Sequence, residues 1–269
     1  MSGTAHRDNS VGLRRSISIQ SRVIWALFLR ETLTRFGRHN IGFLWLFVEP
    51  MMFTLGVTAM WTALKTVHGS NLPIVAFAIT GYSSVLLWRN MTSRCIGALT
   101  PNLSLLYHRN VRPIDVFASR LLLEGAGATM SFVFLVIVFG FIGWLQMPED
   151  VLQVLAAWIL LWWFGSSLAV FLGAFSETSE TVEKLWHPFS YLLFPLSGAA
   201  FLVDALPKVA QDLVLWLPMV NGTEFLREGY FGSRMVAHYD LAYMISCNLG
   251  LTILGLAKLN QVSREVVPE

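Results

Sequence analysis

Residues 35–50 read "RFGRHNIGFLWLFVEP", and the fold turns on how this stretch is read. Arg35 and Arg38 stand just before an apolar block, and that block contains a carboxylate and a proline, Glu49 and Pro50. Cations at the mouth of an apolar run mark the cytoplasmic end of a membrane span. An acid inside such a run costs about 2.5–3.5 kcal/mol on insertion scales, so Glu49 must face protein, water or a cation. About eight residues into the run, it is expected roughly 12 Å deep on a straight helix. Arg30, Arg35, Arg89 and Arg94 are its candidate partners, and a structural ion pair is favoured over contact with a substrate. Pro50 removes one backbone hydrogen bond and is expected to bend the helix there.

Composition extends this reading to the whole chain. Of 269 residues 55% are hydrophobic and 13% are charged, with a mean hydropathy of +0.58. A soluble domain is nearer one quarter charged. More apolar surface than one core can hide points to a bilayer as solvent. A net charge of +2 gives no reason to expect a nucleic acid partner. Cys95 and Cys247, both in or beside apolar runs, read as small hydrophobes rather than a disulfide or metal pair.

Six apolar runs have about the length a spanning helix needs: 41–64, 72–88, 121–147, 151–176, 185–203 and 241–257. Lysine and arginine are divided fifteen to four between the two sides that these runs define. That asymmetry places both termini in the cytoplasm. No apolar segment precedes Val23, so no cleaved secretory signal is expected. The fold class is therefore an all-α integral membrane protein of six transmembrane helices. Its parts are a cytoplasmic tail over 1–20, expected to be disordered, an amphipathic helix over 21–40, the six-span domain over 41–260 and a cytoplasmic C-terminus over 261–269.

Two segments do not fit a simple up-and-down chain. In residues 21–36, Trp25, Leu29, Leu33 and Phe36 recur at helical spacing, with Arg30, Glu31, Thr34 and Arg35 largely opposite. This basic helix either lies along the membrane surface or packs on the bundle. Between the fifth and sixth runs, "LVLWLPMVNGTEF" is too short to span and is broken by Pro218 and Gly222. Two short helices, re-entrant or lying on the outer face, are expected there. Glu224 and Arg227, three residues apart, are expected to pair on one helix face as an outer gate.

Several chemistries have no footing in the sequence. There is no Gly-Lys pair, hence no phosphate-cradling loop, and no Gly-x-Ser-x-Gly elbow. The six histidines show no metal-ligand spacing. Any energy-requiring work must draw on ATP hydrolysed by another chain.

The blocks "RFGRHNIGFLWLFVEP", "LLYHRNVRPIDVFASR", "PLSGAAFLVDALP" and "GTEFLREGYFG" resemble the membrane subunit of capsular polysaccharide exporters, within the type-2 ABC transporter permeases. The resemblance covers about residues 23–260. It implies a homodimer bound to two copies of a separate ATPase that carries ATP and Mg, with no cofactor on this chain. It implies export of a lipid-linked polysaccharide across the bacterial inner membrane, alongside periplasmic or outer-membrane export proteins and membrane lipid. An interfacial N-terminal helix at the substrate entry is implied for Trp25, Arg30, Glu31, Arg35 and Arg38. A coupling helix over 105–115 is implied for Leu106, Tyr107, His108, Arg109, Asn110 and Arg112, ended by Pro113. Phe43 and Phe47, with Glu49, are candidates for the translocation path, and Glu124 is read like Glu49.

O-antigen and teichoic-acid exporters share the superfamily. A membrane-embedded lipid or sugar transferase would need clustered carboxylates or histidines at a membrane face, where the sequence offers isolated Glu49 and Glu124. A passive channel would share the topology but need no coupling element.

Overall fold

The computed structural model describes residues 13–36, 44–64, 72–106 and 111–266, which form ten α-helices and no strand. They are α1 (Leu13–Phe36), α2 (Trp45–Leu64), α3 (Ile74–Cys95), α4 (Leu103–Leu106), α5 (Pro113–Ile142), α6 (Val151–Ser176), α7 (Glu180–Leu196), α8 (Lys208–Val214), α9 (Pro218–Phe231) and α10 (Leu241–Val266). Among the described residues, Pro113–Ile142, Val151–Ser176 and Leu241–Arg264 are long and apolar enough to cross a membrane.

Helix α6 is the hub, with α3, α9 and α10 packed along it. It is apolar all round: one side packs on these neighbours, and the other, with Leu152, Leu155 and Ile159, is exposed. Small residues let its neighbours approach closely. A Cβ at Gly165 would stand 2.8 Å from Trp88 Cα, and one at Gly173 would meet Phe117 and the Cys95 carbonyl. The long helices α2, α3, α5, α6, α7 and α10 alternate in direction. One end of the bundle carries α1, α4 and the α6–α7 turn, and the other carries α8 and α9.

Helix boundaries depart from the sequence reading where charges find tertiary partners. Helix α1 starts at Leu13, inside the tail expected to be disordered. Helix α3 continues past Trp88 to Cys95 through Arg89 and Arg94. Helix α5 starts at Pro113 rather than at 121, because Pro113 suits the first helical turn and the buried Asp115 accepts from the Arg112 N–H at 2.8 Å. It ends at Ile142 because Gly143 adopts φ +81°, a left-handed stop. Helix α7 begins at Glu180, where Glu180 and Glu183 complement the helix dipole. Cys95 and Cys247 are both free thiols.

Candidate functional site

The first polar constellation is built where α1 meets the bundle. Arg35, near the end of α1, donates to Glu124 of α5 and lies 3.1 Å from Glu49 of α2. Arg94 of α3 reaches the same two acids, at 3.5 Å from Glu124 and 3.8 Å from Glu49. Two cations and two carboxylates thus tie four helices together. Of the four candidate partners for Glu49, Arg35 and Arg94 are the ones present. The two acids are not equivalent: the Glu124 side chain is 6% exposed, that of Glu49 55%. Glu49 stands four residues after the start of α2, so it is not deep in a helix as the run length implied. Withdrawing Glu124 from water is costly unless cations face it, and the two arginines meet that cost.

The remaining polar face of α1 is docked in the same way. Glu31 lies 3.3 Å from Arg120 of α5, Gln20 donates to Asp115, and Arg30 donates to the Asn102 side chain at 2.8 Å. The apolar stripe of Trp25, Leu29 and Leu33 stays exposed. The helix therefore packs on the bundle by its charged face and presents its apolar face outward. Of the two alternatives for residues 21–36, packing on the bundle is the one these contacts show.

At the opposite end, α9 is enclosed rather than surface-lying, with eleven of its fourteen residues buried. Its Gly222 and Gly229 allow this, since a Cβ at either would collide with α6 at Leu161 or Gln153. Glu224 and Arg227 are both fully buried and attract each other, but no ion pair within 4.0 Å joins them. Arg227 instead donates to the carbonyls of Gly198 (2.6 Å), Phe201 (2.8 Å), Ala199 (2.8 Å) and Phe77 (3.4 Å). Glu224 accepts from the Val203 N–H at 3.4 Å and the His238 N–H at 3.3 Å. Buried charges must find partners, and here backbone from neighbouring segments supplies them. His238 also lies 3.0 Å from Asp204. Nearby, in the loop before α10, Tyr239 donates to Glu228 at 2.6 Å. Burial and that carboxylate push its phenol up to about 12.

Between the two ends runs a chain of rings that the sequence reading missed. Trp61 of α2 lies 5.9 Å from Phe77 and 5.5 Å from Tyr82 of α3, centroid to centroid. Tyr82 lies 5.3 Å from Phe194 of α7, and Phe53 of α2 lies 5.7 Å from Phe194. Arg89 caps the chain at the α1 end, 4.5 Å from the Tyr191 ring, and Arg227 caps it at the other, 3.8 Å from the Phe77 ring. The signal was present as spacing: eight residues separate Phe53 from Trp61 and seven separate Tyr82 from Arg89. Both spacings return a side chain to the same helix face.

The other expected site residues fall as follows. Leu106 is buried at the end of α4, and Arg112 is exposed just before α5. Tyr107, His108, Arg109, Asn110, Arg38 and Phe43 lie outside the described residues, as does the side chain of Phe47. No group of three or more His, Cys, Asp or Glu fit to hold a metal occurs among the described residues.

A long apolar hub helix, an amphipathic leading helix docked by ion pairs and a short helix inserted at the opposite end of the bundle fit a multi-helix membrane component. Residues 22–231 match the ABC-2 type transporter family, and the chain belongs to it. It is 44% identical over 254 residues to the capsule polysaccharide export inner-membrane protein CtrC of Neisseria meningitidis serogroup B, covering 94% of this chain and 96% of that one. It is 42% identical over 256 residues to the capsule polysaccharide export inner-membrane protein BexB of Haemophilus influenzae, covering 95% and 97%. It is 26% identical over 247 residues to the polysialic acid transport protein KpsM of Escherichia coli, covering 91% and 95%.

Proposed function

We propose that this chain is the permease subunit of an ATP-driven exporter that moves lipid-linked capsular polysaccharide across a bacterial inner membrane. The observation that carries the reading is the match, over nearly the whole of both chains, to proteins named for capsule polysaccharide export at the inner membrane. In this reading α2, α3, α5, α6, α7 and α10 are six spans with both termini cytoplasmic, and two copies of the chain bind two copies of a separate ATPase. ATP and Mg belong to that subunit.

The geometry supports a division of labour within the chain. The exposed stripe of Trp25, Leu29 and Leu33 seats α1 in the cytoplasmic interface beside the substrate entry, while Arg30, Glu31 and Arg35 fasten it to the bundle. The coupling element spans 105–115, with Tyr107, His108, Arg109, Asn110 and Arg112 meeting the ATPase. Phe43, Phe47 and Glu49 flank the entry of the path. At the outer face, Glu224 and Arg227 act as separate latches that hold the 197–206 turn against α9.

The test is expression in a capsule-positive bacterium lacking its own permease subunit. Surface polysaccharide should return, and the partner ATPase should co-purify with the chain. Co-purification together with a failure to move polysaccharide would point to another cargo. Absence of any ATPase partner would overturn the reading.

A further inference from the structure

Among the described residues, Arg89 is a cation that no acid claims. It lies on α3 six residues before Cys95, about 9 Å from the helix end. The acids of the α1 end pair with other cations: Glu49 and Glu124 with Arg35 and Arg94, Glu31 with Arg120. Among the described residues no oxygen accepts a hydrogen bond from the Arg89 guanidinium, and its Nε is buried without a partner. Two rings of α7 hold it instead, Tyr191 at 4.5 Å and Phe194 at 5.9 Å from the guanidinium carbon. Tyr191 is 67% exposed, so the stack opens to the outside of the chain.

A ring under the guanidinium plane orients it without neutralising it. The N–H donors along the guanidinium edge stay free, and their fork matches the two oxygens of a carboxylate or phosphate. An ionisable side chain inside a span is expensive, and one that lacks a counter-charge points to a ligand that brings it. The stack also stands at one end of the ring chain through Phe194, Tyr82, Phe53, Trp61 and Phe77. Phe77, Tyr82 and Trp61 are buried behind it, whereas Phe53 and Tyr191 are exposed; such open ring faces suit a sugar ring and do not discriminate by charge.

We propose that Arg89, set on Tyr191, is a subsite for an oxyanion, carboxylate or phosphate, carried by the saccharide chain in transit. This rests on the function proposed above. The exposed rings of Phe53 and Tyr191 tolerate any sugar, whereas Arg89 favours an acidic repeat unit. A phospholipid headgroup offers the same chemistry, and the experiment separates the two sources.

The full complex with its ATPase is reconstituted in phosphatidylcholine vesicles. Equilibrium binding is measured for a uronic-acid oligosaccharide and for the same oligosaccharide with its carboxyls reduced to alcohols. The wild type should bind the acidic form more tightly. Arg89→Gln should weaken acidic binding by roughly tenfold or more, the value of a charge-assisted hydrogen bond. Binding of the reduced form should be unchanged. Tyr191→Leu should weaken the acidic form in part and Tyr191→Phe should restore it, because the ring and not the hydroxyl orients the guanidinium. Equal binding of both oligosaccharides by the wild type, or equal loss of both in Arg89→Gln, overturns the proposal. So does displacement of the acidic oligosaccharide by phosphatidylglycerol vesicles through Arg89, which would make this a headgroup site. Co-purification of the ATPase and export by the wild type report separately on the proposed function. If the inference alone fails, both persist and only the charge preference disappears.

Discussion

Arg227 places its guanidinium carbon 3.8 Å from the centroid of the Phe77 ring, while its nitrogens reach four backbone carbonyls. One side chain thus fastens α9 to α3 and to the turn after α7. Its partners are backbone groups, which a compensating substitution elsewhere cannot supply. Arg227→Met should leave those carbonyls short of donors and cost on the order of 3 kcal/mol or more. Glu224→Arg combined with Arg227→Glu should be no better than the worse single variant. In the swap, a cation would face the N–H donors of Val203 and His238, and a carboxylate would face carbonyls. Thermal unfolding of the detergent-solubilised protein, together with export, measures both. Recovery in the double variant would show that the two side chains act as a pair after all.

The cluster of Arg35, Arg94, Glu49 and Glu124 gives an unequal pair of outcomes. Glu124 is nearly dry and held by two arginines, so Glu124→Gln strands a partly buried cation and should cost about 3 kcal/mol. Glu49 is more than half exposed, and Glu49→Gln should cost under about 1 kcal/mol. Added salt should narrow the difference between wild type and Glu49→Gln while leaving the Glu124→Gln loss largely intact. Equal losses for the two variants would mean that both acids are equally enclosed in the assembled protein.

What was legible in the sequence, and what was not, divides along physical lines. Helix α6 coincides with its apolar run because an uninterrupted run of about 26 residues has few ways to be satisfied outside a helix. Helix α3 was cut short at Trp88 because Arg89 and Arg94 looked like loop residues. Their tolerance within the helix comes from the Tyr191 ring and from Glu124, 102 and 30 positions away in sequence. The Glu224 and Arg227 spacing was read correctly as one helix face, but the burial of that face depends on α6 and on the 197–206 turn. Local spacing fixes which side chains share a face, and only the assembled fold decides what that face meets.

Close approach of α3 to the turn after α7 supplies a steric prediction. A Cβ on Gly81 would stand 2.5 Å from Arg227 Nη2 and 2.6 Å from the Ala199 carbonyl oxygen. The backbone of Ala199 cannot yield without breaking its bond to Arg227. Gly81→Ala should therefore destabilise by about 1–3 kcal/mol, the usual range for overpacking. Gly250→Ala on α10, with nothing within 4 Å, should be neutral or slightly stabilising, since alanine favours the helix. Melting temperatures of the two variants test this directly, and a tolerated Gly81→Ala would mean that the α3 contact is looser than described.

Sidedness can be read by thiol labelling in a Cys247→Ser background, with the buried Cys95 left in place. Single cysteines at Gln146 and Gln211, both near α9, should react with an impermeant maleimide added to intact cells. A cysteine at Thr178, in the α6–α7 turn near α1, should react only after the membrane is opened. Labelling of Thr178→Cys from outside would invert or break the six-span arrangement.

The last prediction concerns the segment that leads into 107–110. It is braced from two sides: Asn102 accepts from Arg30 of α1, while Glu177 at the end of α6 accepts from the Leu99 N–H at 2.7 Å and the Thr100 hydroxyl at 3.2 Å. Ser176 accepts from the Gly97 N–H at 3.0 Å beside them. A force applied to this segment by an ATPase would pass through Glu177 into α6, the hub of the bundle, and through Asn102 into α1. Glu177→Ala removes the first of these links at the margin of the fold, so the protein should insert and retain its ATPase. Glu177→Gln keeps one acceptor oxygen and should lie between alanine and wild type. The quantity to measure is polysaccharide exported per ATP hydrolysed by the intact complex. A merely structural role would lower export and hydrolysis together, in proportion to the amount of folded protein. A transmitting role should lower export by several-fold while hydrolysis stays close to wild type, with Glu177→Asp recovering part of the ratio. An unchanged ratio in Glu177→Ala would remove α6 from the route by which the cytoplasmic segment drives the spans.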